Sequence, residues 1–122
     1  MPQTAKVFLM LGAANAALVV MLGAFGAHAL KSRLSVEMLG VYQTGVHYHL
    51  FHALGLLAVG LVATQIPPSV YLRWSGWLML IGIALFSGSL YVLSVSGLLL
   101  IGWSASFTYL AMQKFWSIRE QD

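Results

Sequence analysis

The sequence predicts an all-α integral membrane protein, a bundle of four transmembrane helices with the N and C termini in the cytoplasm. Two observations carry that prediction. The first is the placement of charge. No Asp, Glu, Lys or Arg occurs in residues 7–30, 38–72 or 74–113, and these stretches fill most of the 122-residue chain. About 20 mostly apolar residues are enough for a helix to cross the hydrocarbon core of a bilayer. The second is composition. The chain is 60% hydrophobic and 7% charged, with mean hydropathy +0.86, whereas a soluble domain carries about 25% charged residues. That leaves too little charge to cover a water-facing surface, so the apolar side chains must face lipid or one another. A single transmembrane domain over residues 1–122 is expected.

The first helix is expected over about residues 5–29, and Asn15 is the only strongly polar side chain in its charge-free stretch 7–27. Lys6, the apolar run and Ala27-His28-Ala29 loosely resemble a cleavable secretory signal. The run is longer than the 7–15 residues of a signal's apolar region, so a retained helix is expected. The second helix is expected over 36–64. Ser35 suits its N-cap and Glu37 its first turn. Gln43, Thr44, His47 and His49 make its first half amphipathic, while its second half is apolar. Pro67-Pro68 ends it, because proline lacks the amide hydrogen and biases the residue before it away from helical angles. The third helix is expected over 71–93, with Trp74 and Trp77 at one end as part of an aromatic belt. Ser94-Val95-Ser96-Gly97 reads as a tight turn into a fourth helix over 98–116, followed by a polar tail at 118–122. Four spans put both termini on one face. Lys6, Arg73, Lys114 and Arg119 on that face outnumber Lys31 and Arg33 on the other, which makes the terminal face cytoplasmic by the positive-inside rule.

Small residues mark the expected packing surfaces. Gly12, Ala16, Gly23 and Ala27 share a stripe of the first helix, with Gly26 beside it, and Gly88 serves the third. Such stripes let backbones approach closely in lipid, where the hydrophobic effect does not drive association.

Several chemistries are excluded or disfavoured. There is no cysteine, so disulfides and thiolate ligands are absent. No carboxylate lies inside an apolar run, which leaves no pair for acid/base work. The net charge of +3 is too scattered for a nucleic-acid footprint. The H-E-x-x-H, P-loop and G-x-S-x-G motifs are missing, so no enzyme activity is expected. Gly23-Ala24-Phe25-Gly26-Ala27-His28 follows no strand and has no acidic partner at the right distance, so it is not a dinucleotide fingerprint.

Polar groups inside a membrane are functional candidates because their burial is costly. Here they are Asn15, His28, Thr44, His47, Tyr48, His49, His52, Ser87, Ser89 and Tyr91. The binding candidates among them are His28, Tyr48, His52, Ser87, Ser89 and Tyr91. Thr44, Tyr48 and His52 fall on one helical face. Three readings of the set are open. The histidines hydrogen-bond to Tyr48, Ser87, Ser89 or backbone carbonyls and tie the helices together. Alternatively, the patch binds or passes a small polar solute or a proton, using a side chain that titrates near neutral pH. Alternatively, His28 with His49 or His52 holds haem or a metal. The expectation is that no cofactor or metal is bound.

Three segments resemble a known family: Leu22-Gly-Ala-Phe-Gly-Ala-His-Ala-Leu30, Tyr48-His-Leu-Phe-His-Ala-Leu54 and Phe86-Ser-Gly-Ser-Leu-Tyr91. Their order and spacing are similar to the small membrane proteins catalogued as domain of unknown function 423. That family has a bacterial inner-membrane branch and includes the eukaryotic transmembrane protein 256. The resemblance covers roughly residues 8–96 and implies a four-helix integral membrane protein with no assigned activity. The matching positions are Gly23, Phe25, Gly26, Ala27, His28, Tyr48, His52, Ser87, Gly88, Ser89 and Tyr91. The chain departs from the pattern at His49, where the family often has Gln. It also lacks the loop and the Thr-Pro-Leu-Gly-Gly-like segment that usually precede the last helix. The resulting expectation is a non-enzymatic membrane component, located in a bacterial inner membrane. Its partners would be the lipid bilayer and either further copies of itself or a larger membrane complex.

Overall fold

The computed structural model describes residues 1–119; of the expected polar tail, residues 120–122 lie outside the described residues. The chain is helical almost throughout. Helix α1 (Gln3–Phe25) continues without a break into a π-helical turn, Gly26–Leu30. Helix α2 is Val36–Val62. Helix α3 (Val70–Gly82) passes through a second π turn, Ile83–Ser87, directly into α4 (Gly88–Arg119). Among the described residues three helices are therefore long and apolar enough to cross a membrane: Gln3–Leu30, Val36–Val62 and Val70–Ser117.

Two of the expected boundaries are set by local chemistry. Ser35 has extended backbone angles, and its Oγ accepts from the Met38 amide at 3.2 Å, which starts α2. This satisfies one of the orphan amides of the first turn. At the other end, helical structure lapses before Pro67-Pro68 and resumes at Val70.

The expected turn at Ser94–Gly97 is not there, and with it goes the fourth span. Ser94 Oγ donates to the Tyr91 carbonyl at 2.9 Å and Ser96 Oγ donates to the Leu93 carbonyl at 3.0 Å. Serine and glycine punctuate turns where the backbone can turn to water for partners. In a long apolar run the hydroxyls instead bond back within the helix, and one interior glycine costs only about 1 kcal/mol. The inference that both termini share a face rested on the fourth span and falls with it. The Val70–Ser117 helix has 48 residues. At 1.5 Å per residue it is roughly 70 Å long, more than twice the ~30 Å hydrocarbon core.

Helices α1 and α2 run antiparallel and meet in a reciprocal contact. A Cβ added to Gly12 would stand 2.8 Å from the Leu57 amide nitrogen, and one added to Gly60 would stand 2.8 Å from that of Leu9. Here glycine permits backbone contact; no described residue has a positive φ. Helix α3 also packs on α2, with Met79 against Gly55 and His52 against Gly82. Phe8 bridges from α1 to α3 by packing on Gly76 and meeting Trp77 edge-on at 5.8 Å. Phe8, Leu56 and Ile83 form the apolar core, with Leu11, Val59, Met79 and Leu80 packed against it. Beyond Gly97 the remainder of α4 leaves this bundle. Trp103 is 73% exposed, and Leu99, Leu100, Phe107 and Leu110 are similarly bare.

Candidate functional site

The buried stripe of α2 is Tyr42, Gly45, His49, Ala53, Leu56 and Gly60. Every spacing is three or four residues, as one helical face requires. The side chain it carries into the bundle at mid-height is therefore His49, not His52. His49 is 2% exposed. Its Nε2 lies 3.1 Å from Asn15 Oδ1 on α1, and its Nδ1 lies 3.0 Å from the Tyr91 hydroxyl on α4.

The neighbouring bonds assign the protons. Asn15 Nδ2 donates to the Leu11 carbonyl at 2.8 Å, which leaves Oδ1 to accept. His49 Nε2–H therefore donates to Asn15, and neutral Nδ1 accepts from Tyr91 O–H. One imidazole thus joins three helices through one donor and one acceptor. Above it, the Tyr42 ring tilts against that of Tyr91 at 5.2 Å, and the Tyr42 hydroxyl donates to the Leu22 carbonyl at 2.7 Å. Gly26 and Gly45 make room for these two rings. A Cβ on Gly26 would lie 2.5 Å from Tyr42 Cε1, and one on Gly45 would lie 3.1 Å from Tyr91 Cε1.

The other expected site residues do not join this node. His28 and Tyr48 are exposed. Tyr48 faces Phe86 at 4.9 Å. His52 Nδ1 bonds the Tyr48 carbonyl of its own helix at 2.6 Å, and its Nε2 edge lies where a Cβ on Gly82 would be. Ser89 Oγ donates to the Phe86 carbonyl at 2.7 Å. Ser87 is fully buried in the π turn, and its Oγ has no hydrogen-bond partner among the described residues. It does not bond a histidine; of the partners expected for His28 and His52, the backbone carbonyl of Tyr48 is the one His52 takes. Of the six binding candidates only Tyr91 belongs to the node.

His28 and His52 are also too far apart to share a haem or metal. Gly26 abuts Tyr42, so His28 lies level with the start of α2. Even from the Gly26–Tyr42 level, His52 is roughly 15 Å further along the axis at 1.5 Å per residue. His49 has both ring nitrogens engaged. Among the described residues no group of three or more His, Cys, Asp or Glu could hold a metal ion.

The expected packing positions divide in the same way. Gly12 and Gly26 are points of close approach, and Ala16 is half-buried. Gly23 meets only Val46 Cγ1, at an ordinary 3.5 Å, while Gly88 has no close neighbour from another helix and Ala27 is exposed.

Composition hides His49 and Asn15, but the pattern contains them. Asn15 is the only amide in its run, and His49 falls on the small-residue stripe through Gly45, Ala53 and Gly60.

The sequence profile of the family described as Protein of unknown function (DUF423) matches residues 22–111. A membrane protein of Bacillus subtilis, UPF0382 membrane protein YwdK, is 50% identical over 97 residues, covering 80% of this chain and 79% of the relative. A Staphylococcus saprophyticus UPF0382 membrane protein is 45% identical over the same length and coverage. The Escherichia coli UPF0382 inner membrane protein YgdD is 40% identical over 95 residues, covering 78% of this chain and 72% of the relative. No solved structure matches the chain.

Proposed function

The chain belongs to the family Protein of unknown function (DUF423), and from that premise we infer that it is a non-enzymatic component of a bacterial inner membrane that works by helix association. One observation carries this reading, the bare distal half of α4. Leu99, Leu100, Trp103, Phe107, Leu110, Met112 and Trp116 stand exposed around its circumference. A helix apolar on every side is stable only when buried in lipid or in other protein. One bilayer crossing covers roughly 20 residues, so a 48-residue helix needs further apolar cover. A second copy supplies it, because it presents the same helix and closed symmetric pairs are the commonest assemblies. Gly102, which has no heavy atom near its Cβ position, gives the pair a point of close approach of the kind Gly12 provides inside the bundle.

The transport reading lacks comparable support. Of His28, Tyr48, His52, Ser87, Ser89 and Tyr91 only Tyr91 joins the buried node, and the one fully buried histidine, His49, is held at both nitrogens.

Light scattering of the full chain, with detergent contribution subtracted, tests the association. Dimers or higher oligomers are expected for the wild type, and Gly102→Leu should shift the population toward monomer. A strictly monomeric wild type, in detergent and in nanodiscs loaded at high protein-to-lipid ratio, would overturn the reading.

A further inference from the structure

The α1–α2 interface is closed at one end and open at the other. Around Gly12 and Gly60 the two backbones touch. Around Gly23 and Gly26 the contact passes to the Val46 and Tyr42 side chains, and a surface groove of about 300 Å³ opens beside them. Gly23, Gly26 and Ala27 form its α1 side; Gln43 and His47, one turn apart, stand on its α2 side. Both polar side chains are exposed, and neither has a hydrogen-bond partner among the described residues. These are N–H donors beside an otherwise apolar trough.

Depth and charge indicate what fits. The apolar run of α1 begins at Val7, and about 20 residues bring it across the hydrocarbon core to near Gly26. The groove therefore straddles the boundary between acyl chains and headgroups. Lys31 keeps helical angles, φ −55° and ψ −36°, so it continues the face of Gly23 and Ala27 one turn further out. Arg33 follows it. Both cations are exposed, and neither has an ion-pair partner among the described residues. The acid at this end is Glu37, in the first turn of α2, where the helix dipole already favours it. An apolar trough with a cationic mouth at headgroup depth is complementary to a molecule with an acyl chain and an anionic phosphate.

We propose that this groove binds an anionic phospholipid. One acyl chain lies along Gly23 and Ala27, the phosphate sits against Lys31 and Arg33, and the Gln43 and His47 N–H groups donate to the glycerol-ester and phosphate oxygens. No bond is made or broken. The tight and loose halves of the α1–α2 interface thus have separate tasks, the first holding the helices together and the second holding a lipid.

Native mass spectrometry of the full chain, equilibrated with phosphatidylglycerol and phosphatidylcholine of identical acyl chains, is the test. The wild type should retain phosphatidylglycerol about tenfold more than phosphatidylcholine, a difference of about 1.4 kcal/mol. The Lys31→Gln, Arg33→Gln double variant should bring the ratio close to one. Gly23→Leu fills the trough and should lower retention of both lipids; Ala27→Leu, at an exposed position, repeats this without touching α2. The Lys6→Gln, Arg73→Gln double variant, at the other end of the bundle, should keep the wild-type ratio. Equal retention of the two lipids by the wild type would overturn the proposal, as would an equal loss of preference in the Lys6, Arg73 control. Millimolar inorganic phosphate should not displace the lipid; full displacement would make this a phosphate site and overturn the lipid assignment.

Discussion

Residues 70–94 and 98–117 lie on one continuous helix and share one composition, yet their surroundings are opposite. The first stretch packs on α2 throughout: Met79 against Gly55, Gly82 against His52, and Tyr91 against Gly45 and His49. In the second, Trp103, Phe107 and Leu110 are mostly exposed. Hydropathy does not separate the two, because lipid and protein interior accept the same side chains. What separates them is the opposing surface. The first stretch meets small residues of α2 that let it come close, and it carries Tyr91, which finds an acceptor on His49. The second has its own small residues, Gly102, Ala105 and Ser106, with nothing from the same chain opposite them.

The same substitution placed in the two regions should have opposite effects. Gly12→Leu drives a side chain into the Leu57 backbone and should destabilise the bundle by about 3 kcal/mol, the upper range for overpacking. Gly102→Leu meets nothing within 4 Å and should leave bundle stability within about 0.5 kcal/mol while weakening association. Unfolding in mixed micelles with increasing sodium dodecyl sulfate reads the first quantity for both variants.

The polar node comes next in size. His49→Leu removes both interhelical bonds and leaves Asn15 Oδ1 and the Tyr91 hydroxyl buried without their partner. About 2 kcal/mol should be lost in the same titration, from interhelical bonds that average about 0.6 kcal/mol in a bilayer and from the unpaired groups left behind. His49→Gln keeps a donor and an acceptor on one side chain and should recover about half of that loss. A smaller effect is expected for Tyr91→Phe, which deletes one bond but keeps the ring stacked on Tyr42. Its cost should be about 0.6 kcal/mol, and a loss equal to that of His49→Leu would mean that the node does not divide as drawn.

Much of the fold is legible in the sequence because its determinants are local. Charge-free runs fix where the helices are, Ser35 fixes a start and Pro67-Pro68 a stop. The Ser94–Gly97 reading failed because serine and glycine signal turns only when the backbone has another partner to turn to. The site was legible only in part. His52 and Tyr48 drew attention through their spacing from Thr44, but that face points away from α1. His49 lies on the buried face, which is visible once Gly45, Ala53 and Gly60 are read as a packing stripe. Its partners could not be read from the sequence, since Asn15 and Tyr91 are 34 and 42 residues distant from it and meet it only through the helix packing.

The chain's lack of cysteine allows a direct test of the central claim that the distal half of α4 is the face on which copies meet. Trp103→Cys, Ser104→Cys, Ala105→Cys and Ser106→Cys, made one at a time, sample the full circumference of that helix. Leu54→Cys, on the exposed side of α2, serves as the reference. Under oxidative cross-linking in liposomes, at least one of the four α4 variants should form covalent dimers efficiently, with yield varying around the helix, and Leu54→Cys should not. Absence of dimer at all four positions, or equal yield at all four and at Leu54, would contradict the account.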